Sequence, residues 1–130
     1  MTPFTQHERE TVAAGVERCR QGLTLPIAGL GDLPLYWDDE TDPRKMPASA
    51  KYVWLGEDRI IISQTWRDQL LDCVPFVCHE LRHRYQHEML GRMYPVLANR
   101  IWARWTIEPS AYRVENECMR ILGMETGDVK

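Results

Sequence analysis

The most constraining feature of this sequence is the stretch over residues 75–90, which has the pattern of one long α-helix. Pro75 suits the first turn of such a helix, because the N–H that proline lacks would have no partner there. Gly91 follows directly and is a natural helix end. The apolar residues on one side, at helical spacing, are Val74, Cys78, Leu81, Tyr85 and Met89. We expect this side to face the core of the fold.

The chain before this helix predicts another helix and a long loop. Residues 5–21 place valine and cysteine side chains three or four positions apart among charged neighbours, which is typical of an amphipathic helix that ends at Gly22. Residues 23–50 are rich in Gly, Pro and Asp. We expect a loop there, which only a short extended stretch over residues 33–37 interrupts.

A β-hairpin is predicted between this loop and the central helix. Residues 52–55 and 59–63 are rich in β-branched and aromatic side chains, and a Gly-Glu-Asp turn separates them. Further helices are expected over residues 64–72, 95–105 and 109–123. The predicted apolar side of helix 95–105 consists of Val96, Leu97, Ile101, Trp102 and Trp105. The order of helix, hairpin and helices predicts an α+β fold, with residues 1–130 as a single domain.

Length and charge exclude several classes of protein. The 130 residues suffice for one domain with its own core and are too few for two ordinary ones. Sixteen Lys and Arg against nineteen Asp and Glu give a net charge of −3. We therefore do not expect a nucleic-acid partner bound through bulk positive charge. No apolar run approaches the ~20 residues of a spanning helix, so we expect no membrane partner either.

The cysteines and the N-terminus indicate a cytoplasmic protein. Cys19, Cys73, Cys78 and Cys118 include no Cys-x-x-Cys pair, and the N-terminus lacks the pattern of a secretory signal. In such a chain cysteines are most simply reduced thiols buried in the core. We expect all four to be of this kind.

The central helix carries the sequence His79-Glu80-Leu81-Arg82-His83, which points to a metal site. Two histidines four positions apart lie one turn apart on one face, so both imidazoles can reach a single ion. Glu80 lies about 100° around the helix from His79 and can act on a water molecule at the open side of that ion. Metal-assisted hydrolysis requires this division of roles.

A hydrolytic zinc site needs a third protein ligand, and no further histidine is suited to supply it. His87 lies about 12 Å beyond His79 along one straight helix, and His7 is isolated near the N-terminus. The third ligand should therefore be a carboxylate from a later helix. The candidates are Glu108, Glu115 and Glu117. The first two lie seven positions apart and so on nearly the same helix face, whereas the third points elsewhere.

The motif and its surroundings resemble the small gluzincin metallopeptidases, or minigluzincins, of bacteria and phages. In that family His-Glu-Leu-x-His-x-x-Gln is followed by Glu-x-x-Ala on the next major helix, as residues 79–86 are followed here by residues 108–111. The resemblance implies a small zincin-like domain in which His79, His83 and Glu108 are zinc ligands and Glu80 is the general base. By analogy with zincins, it also suggests that residues 59–63 form an edge strand that holds an extended substrate.

Two departures from the family pattern keep Glu115 open as the third ligand. Larger gluzincins often carry Asp just after the Ala, where this chain has Tyr112. Pro109 in turn disfavours the helical conformation at Glu108 and moves it to the entry of its helix. Glu115 is predicted to lie firmly inside that helix.

These observations predict a zinc-dependent metallopeptidase that binds one Zn²⁺ per chain through His79, His83 and Glu108. Its substrate would be a peptide or protein, with Glu80 as the general base. The alternative is a zinc-binding structural or protein-interaction module without peptidase activity, because ligands alone can stabilise a small fold. The sequence carries no signal of the oligomeric state.

Overall fold

A computed structural model describes residues 1–42 and 49–124 of the chain. The α+β class is confirmed, since a four-stranded sheet lies with a set of helices in the predicted order. The strands are β1 (Thr2–Pro3), β2 (Leu35–Asp38), β3 (Ala50–Val53) and β4 (Arg59–Ser63). The α-helices are α1 (Gln6–Gly22), α2 (Val74–Leu90), α3 (Tyr94–Leu97), α4 (Ala103–Thr106) and α5 (Glu108–Ile121). The part of the predicted loop over residues 43–48 lies outside the described residues.

The sheet has the strand order β1-β2-β4-β3. β3 and β4 are antiparallel, as the predicted hairpin requires, although β3 begins two residues earlier than expected. β2 runs parallel to β4, and the three isoleucines of β4 are buried, which is typical of a strand inside a sheet. The expectation that residues 59–63 form an edge strand is wrong, because β4 lies between β2 and β3.

α1 begins at a capping box and packs closely against α2. The hydroxyl of Thr5 accepts the N–H of Glu8 at 3.1 Å, and the Glu8 carboxylate accepts the N–H of Thr5 at 2.8 Å. The predicted apolar side of this helix is buried. A Cβ atom at Gly15 would lie 2.7 Å from Cγ2 of Val74, so the glycine permits the close approach of the two helices.

α2 begins one residue earlier than predicted and ends where predicted, with Pro75 in its first turn and Gly91 directly after its end at a φ of 53°. Three residues of the predicted core side, Val74, Cys78 and Leu81, are fully buried. Met89 is 68% exposed, so the core side ends before it. The opposite side is buried as well, where α5 and β3 pack against it. The polar residues buried there are His79, Glu80, His83 and Gln86.

The expected helix over residues 64–72 is wrong. Two short 3-10 helices, Gln64–Trp66 and Leu70–Cys73, replace it. The hydroxyl of Ser63 caps the first of them, and Gln69 has a φ of −137° and a ψ of 63°, which breaks the helical backbone before the second.

The expected helix over residues 95–105 is wrong too, since α3 and α4 are separated by a turn. In that turn the side chain of Asn99 accepts the N–H of Ile101 at 3.1 Å. Asparagine side chains that bond nearby N–H groups favour turns over helix. Five residues of this segment were predicted to form an apolar side that faces the core, but four of them are exposed. They are Val96, Ile101, Trp102 and Trp105.

The cysteines are all buried, but they are not all reduced. Cys19 of α1 and Cys118 of α5 form a disulfide, and their Cα atoms lie 5.3 Å apart, within the usual range for such a bond. Cys73 and Cys78 are free thiols. The expectation of four reduced cysteines is therefore wrong, and a cytoplasmic location loses the support of that argument. Among the described residues no helix is long and apolar enough to cross a membrane.

Candidate metal centre

Four side chains from two helices converge at the predicted motif. Nε2 of His79 lies 3.4 Å from Oε1 of Glu108, and Nε2 of His83 is in contact with the same oxygen. Glu80 supplies the second carboxylate of the cluster, and its Oε2 atom lies 3.8 Å from Nε2 of His79. Ligand atoms of His79, Glu80 and His83 all lie within 4.8 Å of one another. A single point is thus surrounded by polar atoms of His79, Glu80, His83 and Glu108.

The cluster lies at the wall of a cavity of about 370 Å³. Phe76 of α2 and Tyr112 of α5 line it beside the side chains of the cluster. Ser49 and the first two residues of β3, Ala50 and Lys51, form a further part of the wall. A molecule that enters this cavity would therefore contact both the cluster and the first residues of β3.

His83 is oriented by Gln86, which joins α2 to the start of α5. Nδ1–H of His83 donates to Oε1 of Gln86 at 2.9 Å, and Nε2 of Gln86 donates to the carbonyl of Ile107 and to the hydroxyl of Ser110, each at 2.9 Å. Because Nδ1 donates to Gln86, Nε2 is the ring nitrogen that faces Glu108 and is available to bind an ion. This is the arrangement that a histidine ligand needs.

His79 has a carboxylate at each of its ring nitrogens. Nδ1 lies 3.0 Å from Oε1 of Glu115, at ion-pair distance though without an aligned hydrogen bond. Nε2 faces Glu108, and the edge of the Tyr112 ring packs against the imidazole with ring centroids 4.7 Å apart. Glu108 and Glu115, which share one face of α5, therefore lie on opposite sides of the His79 ring. Glu108 faces the nitrogen that points into the cluster, and Glu115 faces the nitrogen behind it.

Glu80 is buried and held by the sheet. The N–H of Tyr52 in β3 donates to Oε1 of Glu80 at 2.8 Å, which leaves Oε2 directed towards the cluster. Burial raises the pKa of Glu80 above its usual range, and the two imidazoles and the Tyr52 N–H offset only part of this rise. A carboxylate in such an environment has a greater affinity for a proton than an exposed one.

Ion pairs among the side chains of the cluster control the pKa values of His79 and Glu108. Burial alone would lower the pKa of His79, but Glu108 and Glu115 raise it to about 10. Burial likewise opposes ionisation of Glu108, but its contacts with both imidazoles lower its pKa to about 2. A pKa of about 10 favours the protonated form of the His79 imidazole, between the two carboxylates, at neutral pH. Two imidazoles and a carboxylate are a donor set that suits a divalent transition-metal ion, so the residues fit such an ion.

Metal binding is expected to release about one proton per chain between about pH 7 and 8, because a ligating histidine must be neutral. The pKa of His79 lies above this range, so lowering the pH strengthens the competing proton. The apparent affinity for the metal should therefore fall about tenfold for each unit by which the pH is lowered. Calorimetric titration with a divalent metal in buffers of different ionisation enthalpy measures the proton count. His87→Ala should give the same count as the wild type, and metal binding without proton release would contradict the protonated state.

A second group of potential ligands lies in the core between α1, α2 and α5. The sulfur atoms of Cys19, Cys78 and Cys118 lie within 4.8 Å of one another. Metals bind cysteine as the thiolate. The disulfide between Cys19 and Cys118 leaves Cys78 as the single free thiol of this group. Burial raises the pKa of Cys78 to about 12, which disfavours its thiolate form. The imidazole and carboxylate cluster is therefore the candidate metal centre.

The other candidates from the sequence lie elsewhere. The ring of His87 accepts or donates a hydrogen bond with the hydroxyl of Tyr52 at 2.9 Å and stacks on Tyr94, outside the cluster. The carboxylate of Glu117 binds the N–H and hydroxyl of Thr24. The orienting contacts of Gln86, Tyr52 and Glu115 were not predicted from the sequence. Of these, only the glutamine carried a signal, as the last residue of the extended motif.

No protein-family model, curated protein or solved structure matches the chain. The resemblance to small gluzincins therefore rests on the sequence motif alone.

Proposed function

We propose that this chain is a zinc-dependent metallopeptidase-like hydrolase with His79, His83 and Glu108 as ligands. The observation that supports the proposal is the convergence of both Nε2 atoms on one oxygen of Glu108, with Glu80 turned to the same point. Two imidazoles and one carboxylate are the ligand set of several hydrolytic zinc sites, which keep a fourth position open.

The proposed reaction uses Glu80 as its general base. Zinc in such a site lowers the pKa of a water molecule to about 7 and polarises the carbonyl group of the scissile peptide. Oε2 of Glu80 would take the proton of the attacking water and then pass it to the leaving amine. The raised pKa of Glu80 favours the first transfer, and its hydrogen bond from Tyr52 keeps the receiving oxygen in place.

The proposed substrate is an extended peptide segment along β3. This strand replaces residues 59–63 in that role, because Ala50 and Lys51 line the cavity whereas β4 lies inside the sheet. The N–H of Tyr52 is already bound to Glu80, so the proposed pairing would use main-chain groups at the start of β3, beside the cavity. Main-chain hydrogen bonds to a strand edge give affinity with little dependence on side chains.

The alternative is a zinc-binding structural or interaction module. The observation that favours it is a link between α2 and the start of α5. Gln86 of α2 is hydrogen-bonded both to His83 and to the carbonyl of Ile107, directly before α5. An ion between these helices would stabilise the fold whether or not it supported chemistry.

The two functions differ in the effect of metal removal on hydrolysis. Under the peptidase proposal the purified protein carries about one zinc per chain and cleaves members of a broad peptide library. Treatment with ortho-phenanthroline should abolish cleavage, the non-chelating meta isomer should not, and added zinc should restore it. Under either function chelation lowers the melting temperature. A protein that holds zinc and cleaves no member of the library would support the structural module.

A further inference from the structure

Most of the exposed large apolar side chains among the described residues lie in one short segment. Eleven large hydrophobic residues are exposed, and seven of them fall between Met89 and Trp105. Ile101 and Trp105 are each 72% exposed, and Trp102 is 55% exposed. We call the exposed side chains of residues 89–105 the connector surface, because this segment runs from the last residues of α2 towards α5. Exposed apolar side chains this frequent in one short segment are a candidate interaction surface.

The connector surface is held on an anchored backbone. Tyr94 is buried, with its ring 5.1 Å from Trp54 and stacked on His87 at 4.7 Å. Farther along, the hydroxyl of Thr106 donates to the carbonyl of Leu97 at 2.8 Å, which ties α4 back to α3. The segment is therefore fixed at its buried residues while its other side chains face solvent.

The charge of this segment is opposite to that of the rest of the chain. Residues 89–107 contain three arginines and no Asp or Glu, so they carry +3, whereas the whole chain carries −3 and the remainder therefore −6. All three, Arg92, Arg100 and Arg104, are exposed. The guanidinium of Arg104 lies 5.1 Å from the ring centre of Trp105, so basic and aromatic groups are intermixed.

We propose that the connector surface binds the anionic face of a lipid bilayer. A segment whose charged side chains are all arginines matches a partner that carries negative charge, as the headgroup layer of an anionic membrane does. Exposed tryptophans beside arginines are typical of side chains at the headgroup level, where the indole ring is partly apolar and partly hydrogen-bonded. We expected no membrane partner because no segment spans a bilayer, but contact with its face needs no spanning segment. The proposal is independent of peptidase activity.

Sedimentation with lipid vesicles tests this proposal on the full chain. The wild type should bind vesicles that contain phosphatidylserine at low salt, bind phosphatidylcholine vesicles much more weakly, and be released by added salt. Binding should also shift the tryptophan emission to shorter wavelength. Arg100→Gln with Arg104→Gln should weaken binding about 25-fold, about fivefold for each charge. Trp102→Ala with Trp105→Ala should weaken it more than about tenfold and remove the emission shift.

Matched substitutions elsewhere on the surface serve as controls. Leu71→Ala removes an exposed apolar side chain beyond the other end of α2, and Arg20→Gln removes an exposed arginine of α1. Both should bind like the wild type, and circular dichroism should show every variant folded. A wild type that stays in solution with phosphatidylserine vesicles overturns the proposal. Retention on immobilised polyglutamate but not on these vesicles also overturns it, in favour of an acidic protein partner.

Discussion

Glu80→Gln is expected to lower the rate of peptide hydrolysis by about 10³-fold while the fold and the bound zinc stay intact. Glutamine has the shape of glutamate, and its side-chain oxygen can still accept the N–H of Tyr52. It has no carboxylate that could take a proton from water. Cleavage rate, zinc content and melting temperature, measured on the same preparation, separate loss of the base from loss of the site.

A matched substitution makes this result specific. Glu88 lies on the same helix, is exposed, and pairs with Arg84. Glu88→Gln removes the same charge from α2 and should leave cleavage unchanged. Wild-type activity in Glu80→Gln would contradict the general-base role, and loss of zinc from that variant would indicate that Glu80 is itself a ligand.

Glu108→Ala and Glu115→Ala are expected to differ strongly in zinc affinity. Glu108 faces Nε2 of both histidines, so its removal should weaken binding more than about 100-fold, beyond the usual loss for an orienting group. Glu115 faces only Nδ1 of His79, and its removal should weaken binding by about 10- to 100-fold, as for carboxylates that orient a ligand. Competition with a chromogenic zinc chelator measures both affinities.

Glu117→Ala is the control for these two variants, because its carboxylate lies on α5 but binds Thr24. Its zinc affinity should equal that of the wild type. If Glu115→Ala loses more affinity than Glu108→Ala, Glu115 is the third ligand. If both variants keep wild-type affinity, neither carboxylate holds the metal and the proposed site is wrong.

Local periodicity explains which parts of the fold and the site could be predicted. The spacing of His79 and His83 is a property of one helix turn, so their shared face followed from the sequence. The bounds of α2 followed from Pro75 and Gly91 in the same way. The hairpin was predicted with β3 displaced by two residues, because its register depends on pairing with β4.

The remaining features depend on contacts between distant parts of the chain. Both Glu108 and Glu115 lie on one face of α5, and only the packing of α5 on α2 determines which nitrogen of His79 each one meets. The disulfide likewise depends on how α1 and α5 pack, which the spacing of Cys19 and Cys118 does not indicate.

The connector segment between α2 and α5 was predicted wrongly because periodicity alone does not show burial. Val96, Ile101, Trp102 and Trp105 recur as the apolar side of a helix would, and this pattern predicted a core-facing side. The turn at Asn99 divides the segment, and no other element covers these four side chains in the part of the chain that the structure describes.

The anchor of Glu80 has a consequence for how this protein can vary. The donor is the main-chain N–H of residue 52 and not its tyrosine side chain. Nineteen of the twenty genetically encoded amino acids carry that N–H, and only proline lacks it. Substitutions at this position should therefore preserve the alignment of the base across divergent homologues, while proline there should be excluded.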